Sequence, residues 1–146
     1  SQLASARSGF ERPEDHEILA DVLSKEPLAP LSSGGDQRLS DGMRWVVYAL
    51  ITAEEMGITQ ANVDNKLQEA RDNPDLTKVR RFLGVEGDLG SKLGLSNDFV
   101  VNVIQATGNY GEIYNRHLGP DSAVPIPRGL NQLHRDGGVI TAPPFQ

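Results

Sequence analysis

The sequence contains no cysteine in its 146 residues. Disulfides, thiolate nucleophiles and cysteine-ligated zinc are therefore excluded. Aromatic residues make up only 5% of the chain, too few for a platform on which single-stranded bases would stack. Positive charge is short as well: 14 Lys and Arg stand against 20 Asp and Glu, a net charge of −6. Such a balance has no general attraction for phosphates, so no nucleic-acid partner is expected. No apolar run approaches the roughly 18 residues of a membrane span, and no membrane insertion is expected. Neither an initiator methionine nor a signal-peptide pattern stands at Ser1, so processing or trimming is the expectation.

What remains has the make-up of one globular domain, 38% hydrophobic and 23% charged, long enough to bury a core of moderate size. Leu3, Ala4 and Ala6 suit the end of a short helix stopped near Gly9. The imperfect alternation of Ile18, Leu19, Val22 and Leu23 suits a strand over His16–Leu23. Pro27 and Pro30 make Glu26–Pro30 an edge strand or extended connector. Ser32-Ser33-Gly34-Gly35 reads as a flexible break.

From residue 40 the pattern turns helical. Ser40 is expected to cap a helix running to Gly57, with Met43, Val46, Val47, Leu50 and Ala53 at helical spacing. Thr59 is expected to cap the next helix, with an Ile58–Val63 staple. Asn73-Pro74 would open a third, lined by Leu76, Val79, Phe82 and Leu83 and ended by Gly84. After a turn at Leu89–Leu93, Ser96 would cap a helix with a stripe of Phe99, Val100, Val103 and Ile104, stapled by Leu95 to Val100. Asn109 and Glu112 form a capping box for a helix through Leu118. Beyond Gly119 the chain is rich in proline and glycine and is expected to lie over other structure, with a short helix near Leu130–His134. Val46, Val47, Leu50, Phe99, Val103 and Ile104 are expected to share one core.

Candidate chemistry is sparse. His16, His117 and His134 lack metal-ligand spacing, and surface roles are expected for all three. Glu54 and Glu55 are neighbours on a helix and point apart, so they make no acid–base pair. Glu112 is explained by the cap. Gly87-Asp88-Leu89-Gly90 and Asp136-Gly137-Gly138 match neither a phosphate loop nor a calcium loop and read as turns. Lys78, Arg80 and Arg81 read as a solvated helix face. Trp45 and Tyr48 read as core or surface rather than a ligand box. No catalytic residue, cofactor or metal site is expected, and an enzyme is not expected.

Three stretches carry a resemblance to a known family. They are Gly108–Gly119 with Pro127–Leu133 and Asp136–Phe145, Arg44–Glu55, and Val85–Gly90. Together they resemble periplasmic substrate-binding proteins of ABC transporters for polar and general L-amino acids. The resemblance implies a mainly α chain with a minor β element, the C-terminal part of a two-lobed α/β periplasmic-binding fold. Residues 1–31 would end the second lobe and supply the returning hinge strand. Residues 32–42 would be a flexible connector, and 43–146 the C-terminal helical part of the first lobe.

The resemblance further implies an L-amino acid ligand in the intact receptor, an ABC permease as partner and a periplasmic location. Also implied is a missing N-terminal portion or a second copy to cover the surfaces left open. The arginine and aspartate with which the family holds the two ends of its ligand have no counterpart here. Ser1 and Gln2 are the nearest matched positions, beside the cleft rather than in it. Leu31–Gly42 departs from the family by losing apolar residues. The opposing class is a free-standing helical structural or interaction domain without amino-acid binding.

Overall fold

The structure, a computed structural model, describes residues 2–19, 21 and 28–145. It is mainly α-helical, as expected. Its described helices are α1 (Gln2–Ser8), α2 (Gln37–Glu55), α3 (Val63–Asp72), α4 (Thr77–Phe82), α5 (Leu89–Leu93), α6 (Phe99–Thr107) and α7 (Tyr110–Leu118). Short 3-10 turns cover Pro13–Asp15, Gly129–Asn131 and His134–Asp136. β structure among the described residues is a single parallel bridge, Leu133 to Ile140. The expected strand at His16–Leu23 is not formed in its described part: His16–Leu19 and Asp21 are irregular. A lone strand with no partner gains no ladder bonds. Ala20, residues 22–27, Ser1 and Gln146 lie outside the described residues, as does the first part of the expected hinge strand.

Several helix starts differ from expectation, and the reason is chemical. Asp36, not Ser40, caps α2: its carboxylate accepts from Leu39 N at 2.9 Å. An ionised carboxylate at Ncap also meets the positive end of the helix dipole. The helix therefore begins inside the expected 32–42 connector, which shrinks to the residues before Gln37. Thr59 does not cap α3 through its side chain. Instead Asn62 Oδ1 accepts from Thr59 N at 2.8 Å, and Asn62 Nδ2 donates to Gly57 O at 3.0 Å. Asn73 makes a turn with Asp75 N rather than opening α4. Ser96 holds Phe99 N through its backbone oxygen only. Leu95 is 37% exposed beside a buried Val100, while Ile58 and Val63 are both fully buried.

The core lies where α2, α3 and α6 meet, around Ala49, Ala53, Ile58, Val63, Ala70, Phe82, Leu83, Phe99, Val100, Val101, Ile104 and Phe145. Val100 and Ile104 are wholly inaccessible to solvent. On α2 the expected stripe is buried only at Ala53. Ala49, Ile51, Thr52 and Ala53 are the buried positions, Val46 and Leu50 pack at the margin, and Val47 borders a 250 Å³ cleft with Ala29, Pro30 and Met43. Val103 is likewise marginal.

Candidate functional site

The residues expected beside a ligand cleft are at the chain's start. Gln2 opens α1 and is exposed; Ser1 lies outside the described residues. Behind them, α1 and the following segment frame an open cleft of about 390 Å³. Its apolar lining is Leu3, Phe10, Ile18 and Leu19, and its charged rim includes Arg7 and Glu17. Arg7 Nε already donates to Pro13 O at 2.9 Å, which pins the turn after the helix. His16 and Asp21 also line it. Gln2 is not part of its lining.

The best-organised polar group in the molecule sits between helices. Asn109 caps α7 by accepting from Glu112 N at 2.9 Å, and Glu112 returns the bond by accepting from Asn109 N at 2.8 Å. This is the expected capping box, and it does more than cap. Asn109 is 5% exposed, and its Nδ2 donates to Ile58 O at 2.9 Å. Glu112 also accepts from Gln60 N at 3.1 Å. Gln60 Nε2 donates to Gln105 O, and Gln105 Nε2 to Asp64, each at 2.7 Å. The α2–α3 turn is thereby laced to the α6–α7 junction. A cluster fully occupied with its own backbone has no capacity left for acid–base chemistry.

A second cluster was not foreseen. Glu54 and Arg128 form a two-point ion pair, with Arg128 Nη2 at 3.2 Å from Glu54 Oε2 and Nη1 on Oε1. Both side chains are under one-fifth exposed. The guanidinium lies 5.4 Å from the Tyr110 ring centre and 5.5 Å from that of Tyr114. It also donates to Asn131 O at 2.7 Å. The hydrogen bond to Glu54 raises the Arg128 pKa further and outweighs burial. Burial raises the Tyr110 pKa despite the opposing pull of Arg128. Gly111 makes the approach possible, since a Cβ there would sit 2.9 Å from the Glu54 carboxyl. Four of the five N–H donors of this arginine are taken by Glu54 and Asn131 O, so the cluster is a clasp rather than an anion site.

The other residues weighed for chemistry fall into ordinary roles. Arg80 donates to Ala70 O at 2.6 Å and, with Arg81, pairs with Glu86. The basic face is thus tied to the following loop. His16, His117 and His134 are exposed. Gly87 and Gly137 have φ of +91° and +90°, as turn glycines do. Trp45 stacks edge-on against both Tyr48 and Phe145, in the core margin. Among the described residues, no group of three or more His, Asp or Glu could hold a metal ion.

No family model matches the chain. Individual proteins do. General L-amino acid-binding periplasmic protein AapJ of Rhizobium johnstonii is 49% identical over 148 residues, across all of this chain and 42% of its own length. Glutamate/glutamine/aspartate/asparagine-binding protein BztA of Rhodobacter capsulatus is 44% identical with the same coverage. Putative amino-acid ABC transporter-binding protein YhdW of Escherichia coli is 41% identical, again over the whole chain. A solved periplasmic binding protein from Brucella ovis, with glutathione bound, superposes with a TM-score of 0.88 at 40% identity, over 99% of this chain and 44% of that one. Over its whole length the chain is similar in sequence and fold to a part of periplasmic amino-acid-binding proteins.

It spans about two fifths of the length of the curated relatives it matches. The Rhizobium relative is periplasmic by name, and the Escherichia coli relative is named for an amino-acid ABC transporter. No helix among the described residues is long and apolar enough to cross a membrane.

Proposed function

We propose that this chain serves as the C-terminal portion of the substrate-binding component of an ABC importer for L-amino acids, working in the periplasm. The observation that carries the proposal is the agreement of sequence and fold over the whole chain, 40% identity with a TM-score of 0.88. In this reading α2 to α7 buttress one lobe from behind. Residues 1–31 close the other lobe and return to the first, and Ser1 and Gln2 border the cleft without supplying its main ligands. The chain acts by binding and closure, not by catalysis.

A zwitterionic ligand needs a cation for its carboxylate and an anion for its ammonium, because charge taken out of water unpaired is costly. Arg128 and Glu54, the best-buried charged pair described above, neutralise each other. The ligand's charge partners therefore come from a complementary N-terminal portion, and the closed receptor presents itself to an ABC permease. To test this, the chain is mixed with the N-terminal portion of the Rhizobium relative and its melting followed with a panel of L-amino acids. Stabilisation by one or more amino acids is expected. A stable complex that none of them stabilises would favour a helical interaction domain instead.

A further inference from the structure

The segment after α7 has few ties to the helices other than through side chains. Residues 120–145 contain five prolines and only two short 3-10 turns. Among the described residues, the one backbone hydrogen bond from this segment to a helix is Ile126 N to Leu118 O at 2.8 Å. The segment's other backbone bonds close on itself, as in His134 N to Ile140 O at 2.8 Å.

Its attachment to α2 is made at two ends. At one end Arg128 pairs with Glu54, and Arg135 Nη1 donates to Glu55 O at 2.6 Å. At the other, Phe145 is buried edge-on between Trp45 and Phe82, with both ring centres 5.0 Å away. Trp45 and Glu54 are nine residues apart, about two and a half turns at 3.6 residues per turn. They therefore stand on opposite sides of α2 and about 13 Å apart along its axis, so the segment passes around the helix while advancing along it. Leu133 and Phe145 are its buried apolar residues.

We propose that residues 120–145 are a two-latch strap around α2, polar at Arg128 and Arg135 and aromatic at Phe145, which undocks as one unit while α6 and α7 stay folded. A segment that enters the shared core through one side chain, Phe145, opens at lower free energy than helices that supply the rest of that core. The strap's own turns carry no long-range backbone pairing that would have to break when it leaves. The polar latch is weakened by salt to the extent that water reaches it, whereas the aromatic latch is not.

The test is urea unfolding of the whole chain followed by three probes. Trp45 is the only tryptophan, so its emission reports on the Phe145 socket. Amide exchange at Ile126, His134 and Ile140 reports on the strap, and exchange at Ile104 and Ile113 reports on α6 and α7. The expected result is that Trp45 emission and the strap amides change together, at lower urea than the α6 and α7 amides and the helical circular-dichroism signal. Phe145→Ala should move the first transition to lower urea and leave the second in place; Arg128→Met should do the same. One coincident transition for all probes in the unmodified chain would overturn the proposal. So would variants that shift both transitions equally. The unmodified chain alone decides the question should a variant fail to fold.

Discussion

Replacing Asn109 by alanine should be among the most damaging polar substitutions in this chain. Its carboxamide makes two bonds with different duties. Oδ1 accepts from Glu112 N at the start of α7, and Nδ2 donates to the carbonyl of Ile58, which is itself wholly buried. Losing the cap costs about 1 kcal/mol. Losing the second bond costs about 1 kcal/mol more, and somewhat beyond that because the Ile58 carbonyl has no water to turn to. The sum is about 2–3 kcal/mol, which for a domain of this size lowers Tm by roughly 5–10 °C. Asn109→Ser separates the two duties, since a hydroxyl caps a helix but does not reach as far as a carboxamide. It should recover about 1 kcal/mol of the loss. Asn109→Asp keeps the acceptor but faces the Ile58 carbonyl with a second oxygen, and should be no better than alanine. Urea melts of the three variants measure this. A loss under about 0.5 kcal/mol for Asn109→Ala, the ordinary range of a surface change, would refute the claim that this side chain joins two parts of the fold.

Other outcomes follow from the same geometry. Ile104→Ala should cost about 2–5 kcal/mol in a urea melt, and Leu50→Ala clearly less, because Ile104 is fully enclosed and Leu50 is marginal. Gly84→Ala should cost about 3 kcal/mol or more, since Gly84 has φ +72° and an added Cβ would run into the Asn97 carbonyl. Gly57→Ala, with φ +66° but open space around it, should lose only the backbone term of about 1–2 kcal/mol. The raised Tyr110 pKa makes a prediction at alkaline pH. The folded state holds this proton more tightly than the unfolded one, so the contribution is complete below pH 10 and is lost as pH rises from there through the folded value. Tyr110→Phe should flatten that part of the stability–pH curve, as read by melts between pH 9 and 11.

How much of this was legible beforehand depended on distance along the chain. The Asn109–Glu112 box is a spacing of three, and its chemistry is complete within one turn, so the residues announce it. The stripe Phe99, Val100 and Ile104 is equally local. At α2 the same logic failed, because counting large apolar residues points to Val46, Val47 and Leu50. Of the expected stripe only Ala53 is buried, and the helix also buries Ala49, Ile51 and Thr52, positions beside that stripe rather than on it. The cap moved from Ser40 to Asp36 because a glycine pair just before Asp36 reads as a break and hides a helix start. The Glu54–Arg128 clasp joins residues 74 apart, and the docking of Phe145 against Trp45 joins the far end of the chain to α2. No local pattern encodes either. The family resemblance was legible because it is spread over the whole chain rather than resting on any one site, and for that reason it pointed to the architecture while leaving the ligand groups unassigned.

Calorimetric titration with L-amino acids bears most directly on the central claim, that this chain supports a receptor lobe without carrying the ligand's charge partners. It is run on the 146-residue chain alone and on the chain complemented by the N-terminal portion of the Rhizobium relative. The account predicts no saturable heat from the chain alone and saturable binding of at least one L-amino acid by the complemented pair. Micromolar binding of any L-amino acid by the chain alone would contradict it.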